Sequence, residues 1–376
     1  MAFAPVPAKE YAVVWEMRPE EARGALFELG ADQRITLRRT WQAVRGAPLP
    51  SFLKLKQFHR APVVVSLHPA LARTFILPFR LARKKGEAPI PPAHFQTMLQ
   101  EFLSKTRFEM RRLAGDALGC EELDTILLDA RLMRLVVDGE EVREDARIEG
   151  RRVEGFLEVI FTTRAAFHDL HNLLHSGRET FFTERGPAAL AFLSRHIAGP
   201  LAFLDLDARG GWLFRMDHDA EEIVKKSAFK WDADDLPAAL SEAWGLSRAA
   251  AEAAYRVFLK DGFSEAAART ARKLMAPIEE SFDRAVARAK LPASTYVRAA
   301  VPLPFTLPAA RSGAELLPLP LATLLDASGV EFVRGAGTRG EAEDSYYLLP
   351  LLEYYYHRGD PGAHKALTRH IHWIAS

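Results

Sequence analysis

A chain of 376 residues with 48% hydrophobic and 26% charged side chains can hold two or three folded domains and is too apolar to be disordered. A net charge of +1 gives no electrostatic ground for nucleic acid as a partner, and the single cysteine, Cys120, excludes an intrachain disulfide and a cysteine-rich zinc site. No apolar run approaches the roughly 20 residues of a spanning helix, and the first residues lack the basic-then-apolar order of a secretory signal, so the expected location is the cytoplasm.

Tyr11 to Met17 (YAVVWEM), Arg23 to Leu29 and Arg34 to Val44 read as three successive strands, with GADQ as a hairpin turn, and predict an antiparallel meander. The β-branched run from Ala61 to Leu67 reads as a strand covered on both faces. Lys84 to Phe95, with charge, glycine and three prolines, is a connector. Beyond it Phe95, Met98, Leu99, Phe102 and Leu103 recur at helical spacing. Leu123 to Val142 holds strand-like runs and a DG turn, and Arg151 to Arg164 alternates as a strand. Strand, helix, strand, strand over Arg73 to Arg164 predicts a compact inserted α+β unit.

AAFHDLHNLLHSG predicts one amphipathic helix ended by Gly177, and GPAALAFLSRHIAG a second. Phe203 to Phe214 (FLDLDARGGWLF) then reads as strand, acidic turn, glycine pair, strand. Asp232 to Leu259 and Ser264 to Leu291 are Ala-rich and helical, and STYVRAAVPLPF returns to strand. GAGTRG is a surface loop, and the tyrosines of SYYLLPLLEYYY are core and rim rather than a partner-facing patch. At the end, Leu367, Ile371 and Ile374 share one helical face beside Lys365, Arg369 and Trp373, the pattern of a docked or weakly membrane-touching helix.

Three groups of residues are chemical candidates. His168, His171 and His175, at i, i+3 and i+7, could turn three imidazoles to one side and hold zinc at about 2.0–2.1 Å, as in a metal-dependent hydrolase. No HExxH accompanies them, and Leu170, Leu173 and Leu174 beside them favour an ordinary half-buried helix face. Cys120 lies among acidic neighbours that oppose a thiolate, and neither G-x-S-x-G nor a P-loop occurs. The third candidate is the pair of acidic hairpins at Glu16 and Asp205.

In the order and spacing of its elements, from about residue 10 to 305, the chain resembles the bacterial actin homologues of the FtsA and PilM type. The resemblance implies an α/β, actin-like (ribonuclease H-like) two-lobed fold. Residues 1–72 and 165–200 would form the first lobe, 73–164 an FtsA-type inserted subdomain, 201–340 the second lobe and 341–376 a C-terminal tail. It also implies two phosphate hairpins that clamp a nucleotide, with carboxylates holding Mg²⁺ through water and glycines admitting phosphate to the backbone.

The residues depart from that pattern. Glu16 stands at the first acidic position, followed by Arg18 and Pro19 in place of small residues and by Glu20 and Glu21, which repel a triphosphate. Asp205 stands at the second, where Asp207, Ala208 and Arg209 replace the glycine-rich turn. The family's later glycine pair falls near Lys230 and Trp231, and its nucleoside-binding glycines near AAVPLPF. The expectation is a degenerate nucleotide site at Glu16, Arg18, Asp205, Asp207, Arg209 and Lys230, with no catalysis, no cofactor and no metal. The implied function is a non-catalytic scaffold linking a cytoplasmic assembly, of cell-division or pilus type, to protein partners, chiefly through the inserted subdomain. Self-association or filaments, and peripheral contact of the tail with the inner face of the cell membrane, belong to the same expectation; nucleic acid does not. The alternatives are an active Mg-ATP-dependent ATPase of the same fold, with Asp205, Asp207 and Glu16 near the metal, the hydrolase above, and an unrelated α+β structural protein.

Overall fold

The structure, a computed structural model, describes residues 9–30, 32–83, 88–141, 150–216, 224–335 and 341–358. The chain opens with the strands β1 (Glu10–Met17), β2 (Glu21–Leu29), β3 (Arg34–Val44) and β4 (Val63–Leu67). An inserted segment follows: β5 (Ala72–Ala82), α1 (Pro92–Leu118), β6 (Thr125–Val137), β7 (Glu140–Glu141) and β8 (Arg152–Thr163). Proline at the first turn and left-handed Gly119 (φ 66°) at the end set the limits of α1. Next come the short helices α2 (Arg164–Asp169) and α3 (His171–Leu174), then β9 (Thr180–Glu184) and α4 (Arg185–Ser194). The one long helix expected around the three histidines is thus two, joined at Leu170, whose buried side chain belongs to the core beneath them.

The second half holds β10 (Leu201–Leu206), β11 (Arg209–Met216), β12 (Val224–Asp232), α5 (Asp235–Trp244), α6 (Arg248–Leu259) and α7 (Glu265–Ala289). Ser247 and Ser264 cap α6 and α7 by accepting from the backbone N–H three residues on. The chain continues through β13 (Ser294–Ala299), β14 (Ala309–Arg311), β15 (Ala314–Pro318), α8 (Leu321–Ala327), β16 (Glu331–Arg334) and α9 (Glu341–Arg358). No helix among the described residues is long and apolar enough to cross a membrane.

One six-stranded sheet runs β16-β3-β2-β1-β4-β9 and the other β12-β11-β10-β13-β15-β14. Each contains the same motif. The first strand pairs antiparallel with the second on one side and parallel with a later strand on the other, in the order third, second, first, fourth, fifth. A twice-used sheet of this order is the actin-like, ribonuclease H-like fold. The insert forms its own four-stranded sheet, β5-β8-β6-β7, under α1, with a separate apolar core around Phe79, Leu99 and Leu157.

The chain divides into two compact units, Met1–Ile197 with Asp217–Val224 and Leu321–Ser376, and Ala198–Met216 with Lys225–Pro320. The boundary expected at residue 340 is therefore corrected to Pro320. Beyond it β16 pairs in parallel with β3 (Glu331↔Arg34 to Arg334↔Leu37), so these residues complete the first sheet, not the second unit. Residues 341–358 of the expected tail form α9. In α9, Leu348, Leu349, Leu351 and Leu352 are fully buried, and Tyr346, Tyr347, Tyr354 and Tyr355 nearly so. The amphipathic face expected at Leu367, Ile371 and Ile374, like most of the glycine-rich loop before α9, lies outside the described residues.

One glycine marks a close approach. Gly24 faces Trp41 across β2 and β3, and a Cβ at Gly24 would sit 2.1 Å from the indole ring. Gly24→Ala is expected to displace the indole and lower stability by about 1–3 kcal/mol, read by urea unfolding.

Candidate functional site

Glu16 is the penultimate residue of β1 and has no exposed surface. Arg185, the first residue of α4, donates to its Oε1 at 2.8 Å, and Arg18 approaches the same oxygen at 3.0 Å. Both guanidinium groups lie against the ring of Tyr346, at 4.9 and 5.0 Å. Burial pushes the Glu16 carboxyl up, but the charges and hydrogen bonds of Arg18 and Arg185 outweigh it and hold the group below the usual carboxylate value. Two guanidinium groups already stand beside this carboxylate, so a divalent cation would have to compete with both for it.

Asp205 holds the same place in the second unit, one residue before the end of β10, also without exposed surface. Its register partner on the parallel strand β13 is Arg298. The guanidinium donates from Nε to Oδ1 at 3.0 Å and from Nη2 to Oδ2 at 2.8 Å, a two-point fork that engages both carboxylate oxygens. Asp207 is nearly buried, and its N–H donates to the Gly210 carbonyl. The chain turns through Ala208 and Arg209 and closes on Gly210 at φ 92°, the left-handed position that ends such hairpins. The Ala208 carbonyl accepts from Ala233 N–H at 2.8 Å, tying the turn to the residue after β12. Gly211 is a packing residue, because a Cβ there would lie 2.7 Å from Leu206 and 3.3 Å from Phe229.

The position expected near Lys230 and Trp231 falls within β12 rather than in a loop. Trp231 is buried edge-on against Phe282 of α7, and Lys230 is exposed. Glu16 and Arg18 therefore meet in the first unit, Asp205 and Asp207 adjoin in the second, and Lys230 belongs to a different surface. Arg185, Arg298 and Tyr346 were missed by sequence reasoning. Only strand register and helix packing bring them to the acidic residues.

A third charged group was equally invisible. Arg131 on β6 is buried against Glu158 of β8, donates to the Phe182 carbonyl at 2.7 Å, and lies 3.5 Å from Glu353 of α9 and 3.7 Å from Asp129. Its guanidinium stacks 4.0 Å from the Phe181 ring centre, and Thr183 donates to Glu353 at 2.6 Å. Arg195 also feels Glu353 and Glu158, although burial is what chiefly pulls it down. Burial, with the charges of Glu353 and Asp129, pushes Glu158 up to about 7 against the pull of Arg131. The cluster ties the insert's sheet to β9 and α9 of the same unit.

His168, His171 and His175 are all exposed, with ring centres 6.4 Å apart for the first pair and 4.0 Å for the second. Among the described residues no group of three or more His, Cys, Asp or Glu is arranged to hold a metal ion. Cys120 is half-buried, with Sγ 3.4 Å from the Thr125 hydroxyl.

No family model and no curated protein matches the sequence. Among solved structures, the PilM–PilN type IV pilus biogenesis complex matches at TM-score 0.45 and 15% identity, over 93% of this chain and 98% of that one. The ethanolamine utilization protein EutJ from Carboxydothermus hydrogenoformans matches at TM-score 0.37 and 11% identity, over 93% and 92%. The cytoplasmic domain of EpsL, an inner-membrane component of the Vibrio cholerae type II secretion system, matches at TM-score 0.33 and 11% identity, over 91% and 95%. These likenesses assign no residue here a role.

Proposed function

We propose that this chain is a non-catalytic, nucleotide-independent actin-like scaffold that joins protein partners in a cytoplasmic assembly of pilus or cell-division type. The observation that carries the reading is that the acidic residue in each hairpin already has an arginine as its counter-ion. A Mg²⁺ ion would have to displace Arg298 from both oxygens of Asp205, and to approach Glu16 past two guanidinium groups. Pro19 supplies no N–H to a phosphate, and Trp231 fills the position that the resemblance gives to glycine. Both carboxylates are engaged in internal ion pairs, and what is left for function is surface. On the insert, Phe108 and Leu123 are 68% and 70% exposed, which supports the insert as a partner-facing surface. Self-association and contact of residues 359–376 with the membrane's inner face belong to the same proposal.

Calorimetric titration with Mg-ATP is expected to show no saturable binding up to about 1 mM, a free energy weaker than about −4 kcal/mol. Micromolar, Mg²⁺-dependent affinity would overturn the nucleotide-independent reading, and ATP turnover abolished by Asp205→Ala in a folded protein would establish the ATPase in its place.

A further inference from the structure

The second unit carries a groove of about 570 Å³ between β12 and the C-terminal half of α7. β12 is the edge strand of its sheet, so one side of its backbone has no neighbouring strand among the described residues. Facing it, α7 presents Ser281, Arg284, Ala285 and Arg288, a stripe at i, i+3, i+4 and i+7 whose small members keep the groove open. Phe229 lines it, Arg215 of β11 adds a further cation, and Lys230, alternating with Phe229 and Trp231, borders it with its side chain on the strand's other face.

Three arginine side chains, Arg215, Arg284 and Arg288, thus line one concavity, with no acidic residue among its lining. Among the described residues none of the three makes an ion pair. Two acidic residues of α7, Glu279 and Asp283, are instead engaged with Arg311 of β14, each at 3.2 Å. Like charges gathered without counter-ions repel one another and are relieved by an anionic ligand.

We propose that this groove is a docking site for an acidic protein segment in extended conformation, which adds to β12 as a further strand and places alternate carboxylates against α7. Charge complementarity fixes the sign of the partner, and the open strand edge fixes its shape. The spacing agrees. Alternate side chains of a strand stand about 6.8 Å apart, and Arg284 and Arg288, four residues along a helix, about 6 Å. A membrane surface, being flat, would not reach the backbone edge of β12. The groove is distinct from the paired carboxylate. Leu204 and Leu206, which flank Asp205, belong to the core shared with α7, so Asp205 points to the sheet's other face. The inference deepens the scaffold reading by naming a partner's chemistry, and rests on it for the kind of ligand, a protein.

The test is fluorescence anisotropy on the full chain without nucleotide, so that its outcome is separate from the Mg-ATP titration. The probe is a labelled, end-blocked peptide of alternating Glu and Thr, with a peptide of the same composition carrying its glutamates in one block as control. Saturable binding that prefers the alternating peptide is expected, weakened about tenfold or more by Arg284→Glu/Arg288→Glu and by raised salt. Ser281→Trp, which leaves every charge in place but narrows the groove, is expected to weaken it as well. Hydrogen exchange of the β12 amides is expected to slow in the complex. Equal affinity for the double variant, no peptide binding, or loss-sensitive binding of only inorganic phosphate or of phosphatidylcholine–phosphatidylglycerol vesicles would overturn the proposal. Unchanged thermal unfolding of the variants keeps each comparison valid.

Discussion

Replacing Arg131 with methionine is expected to lower the unfolding free energy by about 3–5 kcal/mol near pH 8, among the largest effects of any single substitution in this chain. Methionine fills much of the arginine's volume, so the loss is electrostatic. Glu158, Glu353 and Asp129 would share a buried space without the cation they now surround. Two hydrogen-bonded strands of the insert, β6 and β8, meet β9 and α9 at this point, so the damage reaches both cores of the first unit.

The same cluster makes stability depend on pH in a stated direction. Glu158 is pushed up to about 7 from an ordinary 4.5, so between those values the folded chain binds more protons than the unfolded one. Its contribution is whole below 4.5 and is lost as pH rises through 7, a change of about 3 kcal/mol. Glu158→Gln keeps the shape, removes the titration, and is expected to flatten this fall, making the variant the more stable form near pH 8. Urea unfolding of both proteins across that range reads the difference between the two curves. Parallel curves would show that Glu158 does not hold the proton.

Arg298→Met is the second substitution of this size. It is expected to cost about 3–5 kcal/mol, because Asp205 then lies buried without the guanidinium that now engages both its oxygens, whereas Asp205→Leu combined with Arg298→Met should return to within about 1 kcal/mol of the original protein. A pair that is costly to break and cheap to remove serves specificity of register between β10 and β13 rather than net stability. The single variant also probes the nucleotide reading. If Arg298 were the sole obstacle to a metal, Mg-ATP would raise the melting temperature of Arg298→Met. No rise is expected, since Ala208 and Arg209 stand in the turn where close approach of phosphate to the backbone would call for glycine.

Strands and turns were legible where the chemistry is local. The β1–β3 meander followed from apolar runs around GADQ, and the insert from one helical period between strand-like segments. The acidic hairpin at Asp205 was equally visible, since two aspartates and a glycine pair between apolar runs signal a turn. The histidine helix was misread because i, i+3, i+7 spacing does not show that the chain breaks at Leu170. The boundary near residue 340 failed for a different reason. EFVR is a strand in either unit, and its partner Arg34 lies 297 residues away from Glu331.

The sequence by itself determined most of the elements and the position of the acids at the ends of two first strands. Those properties reside in nearest neighbours, in periodicity and in the conformational freedom of single residues. The tertiary structure alone decided what the acids do. Glu16 meets Arg185 across 169 residues and Asp205 meets Arg298 across 93, through strand register and helix packing that no local pattern encodes. A buried carboxylate is a metal ligand or a structural ion according to the charge placed opposite it, and that charge arrives only when the sheets are assembled.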